Sequence, residues 1–79
     1  MDLIREIDLH GLRHKQAMEL VQNTLAGLKK EKAFSLTIIT GNSSTLQERI
    51  FNEALDKSDF TYYIPSWNLG QIIVEQTLL

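Results

Sequence analysis

Twice in this chain an apolar, β-branched run stops near a glycine and gives way to helical spacing. The first run covers residues 3–9 and is followed by Gly11; the second covers residues 34–40 and is followed by Gly41. In the first, Leu3, Ile7 and Leu9 share one face and Ile4 takes the other, the pattern of a strand. In the second, Phe34, Leu36, Ile38 and Ile39 stand with the β-formers Thr37 and Thr40. The adjacent Ile38 and Ile39 predict a central strand with apolar cover on both sides. Two successive strand–helix units imply that the first two strands lie parallel, joined by a right-handed crossover.

The helices follow from periodicity. Over residues 13–30, Ala17, Val21, Thr24, Leu25 and Leu28 recur at helical spacing, and Met18 and Leu20 widen the stripe. Arg13 is a poor N-cap, whereas Lys29 and Lys30 suit the C-terminal end of the helix dipole. The second helix runs to about residue 57 with Leu46, Ile50, Ala54 and Leu55 inward. Ser44 with Gln47, or Thr45 with Glu48, fits a capping box at its start. A third strand over residues 60–64 ends at Pro65, residues 67–70 turn, and a fourth strand centres on Ile72, Ile73 and Val74. The last two strands are close enough to pair as a hairpin. The expected fold is an α/β two-layer sandwich of order β-α-β-α-β-β: a four-stranded mixed sheet with two helices on one face. At 79 residues, the expectation is one domain over residues 1–79.

Composition narrows the chemistry. There is no cysteine, so disulfides, thiolate metal sites and cysteine nucleophiles are excluded, which fits a cytoplasmic location. No apolar run nears the ~20 residues of a membrane span. Asp2, Arg5 and Glu6 are unlike a signal peptide. The net charge of −2 argues against bulk electrostatic capture of nucleic acid. Charge is uneven, however. Lys29, Lys30, Lys32 and Arg49 outnumber Glu31 and Glu48 mid-chain, which is compatible with a local basic edge or with ordinary solvated helix ends.

Chemistry concentrates at the two β-α turns. Parallel pairing puts the carboxyl ends of the first two strands on one edge, where α/β folds bind ligands. That edge collects Asp8, His10 and Gly11 from the first turn and Thr40, Gly41, Asn42, Ser43 and Ser44 from the second. Arg13, His14 and Lys15 start the first helix beside it. His14, on a first helical turn, is expected to face solvent. Backbone amides and hydroxyls at the second helix start suit a phosphate. His10 could serve as general base or acid, with Asp8 orienting its ring and Arg13 or Lys15 stabilising developing charge. Each residue also has a structural explanation. His10 could be a strand-end histidine, Asp8 a turn-fixing acceptor for the Gly11 or Leu12 amide, and the Gly-Asn-Ser-Ser segment a capped turn. No metal-ligand spacing, P-loop, dinucleotide fingerprint or serine elbow occurs. Trp67, Tyr62 and Tyr63 offer faces for base stacking, although aromatics beside a hairpin are expected to cover the core edge.

The segment Ile7-Asp8-Leu9-His10-Gly11-Leu12, with Ala17 in the following helix, resembles the Leu-Asp-x-His-Gly opening of the Smr (small MutS-related) domain family. Ile38-Ile39-Thr40-Gly41-Asn42-Ser43 is similar to that family's Thr-Gly-x-Gly turn, with Ser43 at the second glycine and Asn42 where members often carry a basic residue. The later helix and closing strand follow the same order. The resemblance implies a nucleic-acid-binding domain with endonuclease or nicking activity on DNA or RNA, Asp8 and His10 being the catalytic pair and Thr40 and Gly41 lining the backbone-binding turn. It implies no certain cofactor; magnesium or manganese is open. The fold is also similar to the C-terminal domain of the third bacterial initiation factor, a ribosome-binding module. The alternatives are therefore a non-catalytic module for nucleic acid or ribosomes, and a protein-interaction domain with a vestigial site.

Overall fold

The computed structural model describes residues 3–76, and side chains from Arg5 onward. Strand β1 (Leu3–Asp8) leads to helix α1 (His14–Leu28), strand β2 (Phe34–Ile39) and helix α2 (Ser44–Ile50), which continues as a π-helical turn (Phe51–Leu55). Strands β3 (Thr61–Tyr63) and β4 (Gln71–Gln76) complete the sheet. The strand order is β1-β2-β4-β3. The β1–β2 pair is parallel, and both β2–β4 and β3–β4 are antiparallel. The expected mixed sheet, parallel first pair and hairpin are all present.

One face of the sheet carries the core. Phe34, Leu36 and Ile38 of β2 and Ile72 and Val74 of β4 are buried against Ala17, Val21, Leu25 and Leu28 of α1 and Leu46 and Ile50 of α2. Phe34 meets Phe60 edge to face, with ring centroids 4.9 Å apart. β2 is central, as expected, but not fully covered on both sides: Ser35, Thr37 and Ile39 are only half-buried, because the buried stripes of both helices pack with Phe34, Leu36 and Ile38 on the opposite face. Leu20, expected to widen the α1 stripe, is exposed, and Thr24 is half-buried. Thr24 instead returns its hydroxyl to the Leu20 carbonyl at 2.7 Å. The α1 surface turned toward the sheet is thus limited to Ala17, Met18, Val21, Leu25 and Leu28.

Both helix starts differ in detail from expectation. Arg13 is the N-cap of α1, and its side chain has no acceptor to offer the helix amides. The partner comes from within the helix, the Arg13 amide donating to Gln16 Oε1 at 3.4 Å. The α2 cap is Ser43, whose Oγ accepts from the Leu46 amide at 3.2 Å. Neither expected capping box forms: the N-cap lies at Ser43, and Gln47 turns inward to Thr40. The end of the second helix is π-helical, with the Asp56 amide donating to the Phe51 carbonyl at 2.7 Å. The wider turn brings Leu55 into the same core as Ile50.

Candidate functional site

The site begins with a buried leucine. The Leu9 amide donates to the Ile39 carbonyl at 2.8 Å, and the Leu9 side chain is buried in the core. Side chains alternate along an extended chain, so Asp8 and His10 both project away from the core face. They meet there: His10 Nδ1 lies 2.6 Å from Asp8 Oδ1, and the His10 amide donates to the same oxygen at 3.1 Å. The acceptor role of Asp8 is thus directed to His10, not to the Gly11 or Leu12 amide. The turn is closed instead by the Leu12 amide donating to the Leu9 carbonyl at 3.0 Å, with Gly11 at φ +83°.

Both side chains are open to a large ligand, at 73% exposure for His10 and 50% for Asp8. The hydrogen bond from the His10 ring, followed by that from its amide, lowers the Asp8 pKa below its ordinary value of 3.8. Asp8 is therefore a carboxylate at neutral pH. By engaging Nδ1, it leaves Nε2 as the ring nitrogen outside this contact.

The second turn lies beside the first. Gly41 has φ +67°, and a Cβ built on it would sit 3.8 Å from His10 Cβ. His10 and the Thr40-Gly41 turn are therefore brought together, as the parallel pairing required. Thr40, however, is buried, and its hydroxyl is engaged inside the protein. Its Oγ1 lies 3.0 Å from the Gly41 carbonyl and 3.1 Å from the Gly70 carbonyl, either of which accepts its proton, and it accepts from Gln47 Nε2 at 2.9 Å. Gln47 Nε2 also donates to the Leu69 carbonyl at 2.8 Å. The Gly70 carbonyl in turn accepts from the Thr40 and Gly41 amides at 2.9 and 3.1 Å. Thr40 and Gln47 thus tie the second turn to the β3–β4 loop, and Ser43 caps α2. Asn42 and Ser44 are the exposed polar side chains of that turn.

Around these turns Gly11, Arg13 and Lys15 are exposed, while His14 is half-buried, contrary to its expected full exposure. The mid-chain lysines are elsewhere. Lys29, Lys30 and Lys32 follow the far end of α1, a helix of 15 residues and so roughly 20 Å long. Arg49 is paired with Glu53 at 2.8 Å. No basic edge from these residues borders His10. Among the described residues no three His, Asp or Glu side chains converge as ligands for a metal ion. Asp8 is a single carboxylate already engaged by a histidine, so these residues do not fit a bound magnesium or manganese ion.

Sequence reasoning underrated two features of this edge. Gln47 looked like a capping partner, although a polar residue next to Leu46 and three before Ile50 on an apolar stripe was a sign of a buried polar contact. Trp67 was expected to cover the core edge but is 74% exposed; Tyr62 does take that role, stacking on Phe51 at 5.4 Å.

The model of the Smr domain family matches residues 7–63, from the Asp8–His10 strand through the third strand. The chain belongs to the Smr domain family. No curated protein and no solved structure matched it. Smr domains form a nucleic-acid-binding, nuclease-like family, so nucleic acid is the general kind of partner. In this Smr domain Asp8, His10, Gly11, Thr40, Gly41 and Gln47 fall inside the matched segment, and the loop carrying Trp67 falls outside it. No helix among the described residues is long and apolar enough to cross a membrane.

Proposed function

We propose that this Smr domain binds a DNA or RNA strand along the edge formed by its two β-α turns and cleaves a phosphodiester there, with His10 as the acid–base group. The single observation that carries this reading is the 2.6 Å contact between Asp8 and His10 at an exposed strand end. A carboxylate on Nδ1 fixes the tautomer, so neutral His10 presents the Nε2 lone pair outward. From there it takes a proton from the attacking oxygen, a water or a ribose 2′-hydroxyl, as that oxygen bonds to phosphorus and the leaving oxygen departs. Asp8 stabilises the imidazolium that forms. Arg13 and Lys15, exposed at the start of α1, supply positive charge for the phosphate, assisted by His14 and the Gly11 and Gly41 turns. Asn42 and Ser44 offer polar contacts from the second turn.

A second reading is favoured by one specific observation. The hydroxyls of Thr40 and Ser43 are both engaged inside the fold, so the second turn offers the phosphate little beyond Asn42, Ser44 and backbone. This supports a binding module, on nucleic acid or ribosomes, that holds a strand without cutting it. A protein-interaction domain is the remaining alternative.

One assay separates these readings. Wild type and His10→Ala are incubated with labelled single-stranded and duplex DNA and RNA, with and without magnesium or manganese. Cleavage by wild type that drops about 100-fold or more in His10→Ala is expected. Equal cleavage by both proteins, or none under any condition, overturns the catalytic role; binding without cleavage assigns the module.

A further inference from the structure

The two most exposed large hydrophobic side chains of the described residues, Trp67 at 74% and Leu69 at 70%, share the β3–β4 loop. Their exposure does not come from a loosely held loop. The Asn68 amide donates to the Pro65 carbonyl at 3.2 Å, and Asn68 Oδ1 accepts from the Gly70 amide at 3.0 Å. The Leu69 and Gly70 carbonyls are held from the other side by Gln47, Thr40 and Gly41. Pro65 is fully buried beneath. The backbone is thus satisfied inward while Trp67 and Leu69 are presented outward.

The position of this loop identifies its occupant. Gly70 packs on Gly41, a Cβ at residue 70 falling 3.2 Å from the Gly41 carbonyl oxygen, and Gly41 borders His10. A nucleic-acid strand placed at His10 therefore meets, at Gly41, the turn on which the Trp67 loop is anchored. Neither residues 64–70 nor residues 40–44 contain an acidic side chain, so nothing in either segment repels its phosphates. Every base presents a π-face to an indole, whereas bases inside a duplex are already stacked on one another. We propose that Trp67, flanked by Leu69, is a base-stacking platform that makes this domain select an unpaired nucleotide next to the phosphate held at His10. The proposal rests on the nucleic-acid reading above and adds to it the single-stranded character of the substrate. The loop lies beyond the segment matched by the family model.

Trp67 is the only tryptophan, so its own fluorescence reports the contact. Short fluorescein-labelled oligothymidylate, oligouridylate and a blunt duplex are titrated with wild type, Trp67→Ala and Trp67→Phe. Anisotropy reads binding, and tryptophan emission with unlabelled oligonucleotides reads stacking; circular dichroism checks that the variants are folded. Quenching by the single strands but not by the duplex is expected, with about a tenfold loss of single-strand affinity in Trp67→Ala and most of it retained in Trp67→Phe. Single-strand binding with unchanged emission and equal affinity in Trp67→Ala overturns the platform and leaves the nucleic-acid reading standing. Equal quenching by the duplex overturns the single-strand selection. Absence of binding by wild type to every probe overturns both. A wild-type dimer in sedimentation that Trp67→Ala converts to monomer assigns the loop to self-association and overturns the proposal.

Discussion

Asp8 and His10 flank Leu9, and the burial of that one leucine sends both polar side chains to the same side of the strand. The electrostatic consequence has a definite sign. The Asp8 pKa in the folded protein is lowered chiefly by the His10 hydrogen bond. The stabilising contact is fully present above 3.8 and is lost as pH falls through the lowered value. Carbon-13 NMR titration should place the Asp8 carboxyl below 3.8 in wild type and return it to the ordinary range in His10→Ala. An unshifted Asp8 in wild type would show that the pair does not form in solution. Between pH 5 and 8 Asp8 remains ionised, so any change of activity there must come from another group. Gly11, at φ +83°, gives a second residue-scale expectation: Gly11→Ala should cost roughly 1–2 kcal/mol in urea denaturation, because a Cβ is strained in the left-handed region. The Asp-x-His-Gly signature was legible in the sequence because its chemistry resides in adjacent residues. The buried hydroxyl of Thr40 was not, because its partners Gln47 and Gly70 come from elements that only the fold brings near.

Elements differ from their sequence reading mostly at their ends, where local signals compete with tertiary partners. The sequence reading puts the cap at Ser44 or Thr45, whereas in the fold it is Ser43 that accepts from the Leu46 amide while Gln47 turns inward. Ser43→Ala should therefore destabilise the protein by about 1 kcal/mol, and Ser44→Ala by much less, as read from urea midpoints. The reverse order would mean that the cap is Ser44. Gln47 joins α2 to the end of β2 and to the β3–β4 loop. Gln47→Leu leaves Thr40 Oγ1 and the Leu69 carbonyl without this donor and should cost about 1–3 kcal/mol. It should also change the emission of Trp67 by loosening the loop beneath it; unchanged emission together with unchanged stability would show that the network holds nothing. The π-helical end of the second helix follows the same rule. Apolar spacing marked Leu55 as buried, but only packing chose the wider turn that buries it beside Ile50.

For the molecule as a whole, charge and topology decide how a nucleic acid could be held. The net charge is −2, and the cluster Lys29, Lys30 and Lys32 lies at the end of α1 away from His10. If binding uses the His10 edge, Arg13 and Lys15 are its main cations. The plot of log affinity against log salt should then be shallow, with a slope of roughly −1.4 on a single strand. Arg13→Ala or Lys15→Ala should each flatten it by about 0.7, and replacing the three mid-chain lysines by glutamine should leave it unchanged. A steep slope that those lysines control would place the binding surface elsewhere. By itself the sequence determined the α/β class, the parallel first pair, the hairpin and the Asp8–His10 end of the proposed site. These features depend on periodicity, glycine punctuation and neighbouring residues, which are local. Only the tertiary structure decided that β4 inserts between β2 and β3. That insertion returns the β3–β4 loop to the Gly41 turn, engages Thr40 and Gln47 in holding it there, and leaves Trp67 of that loop exposed. Strand order depends on which long-range pairings best bury the apolar face and satisfy the backbone, a choice that no short stretch of residues records.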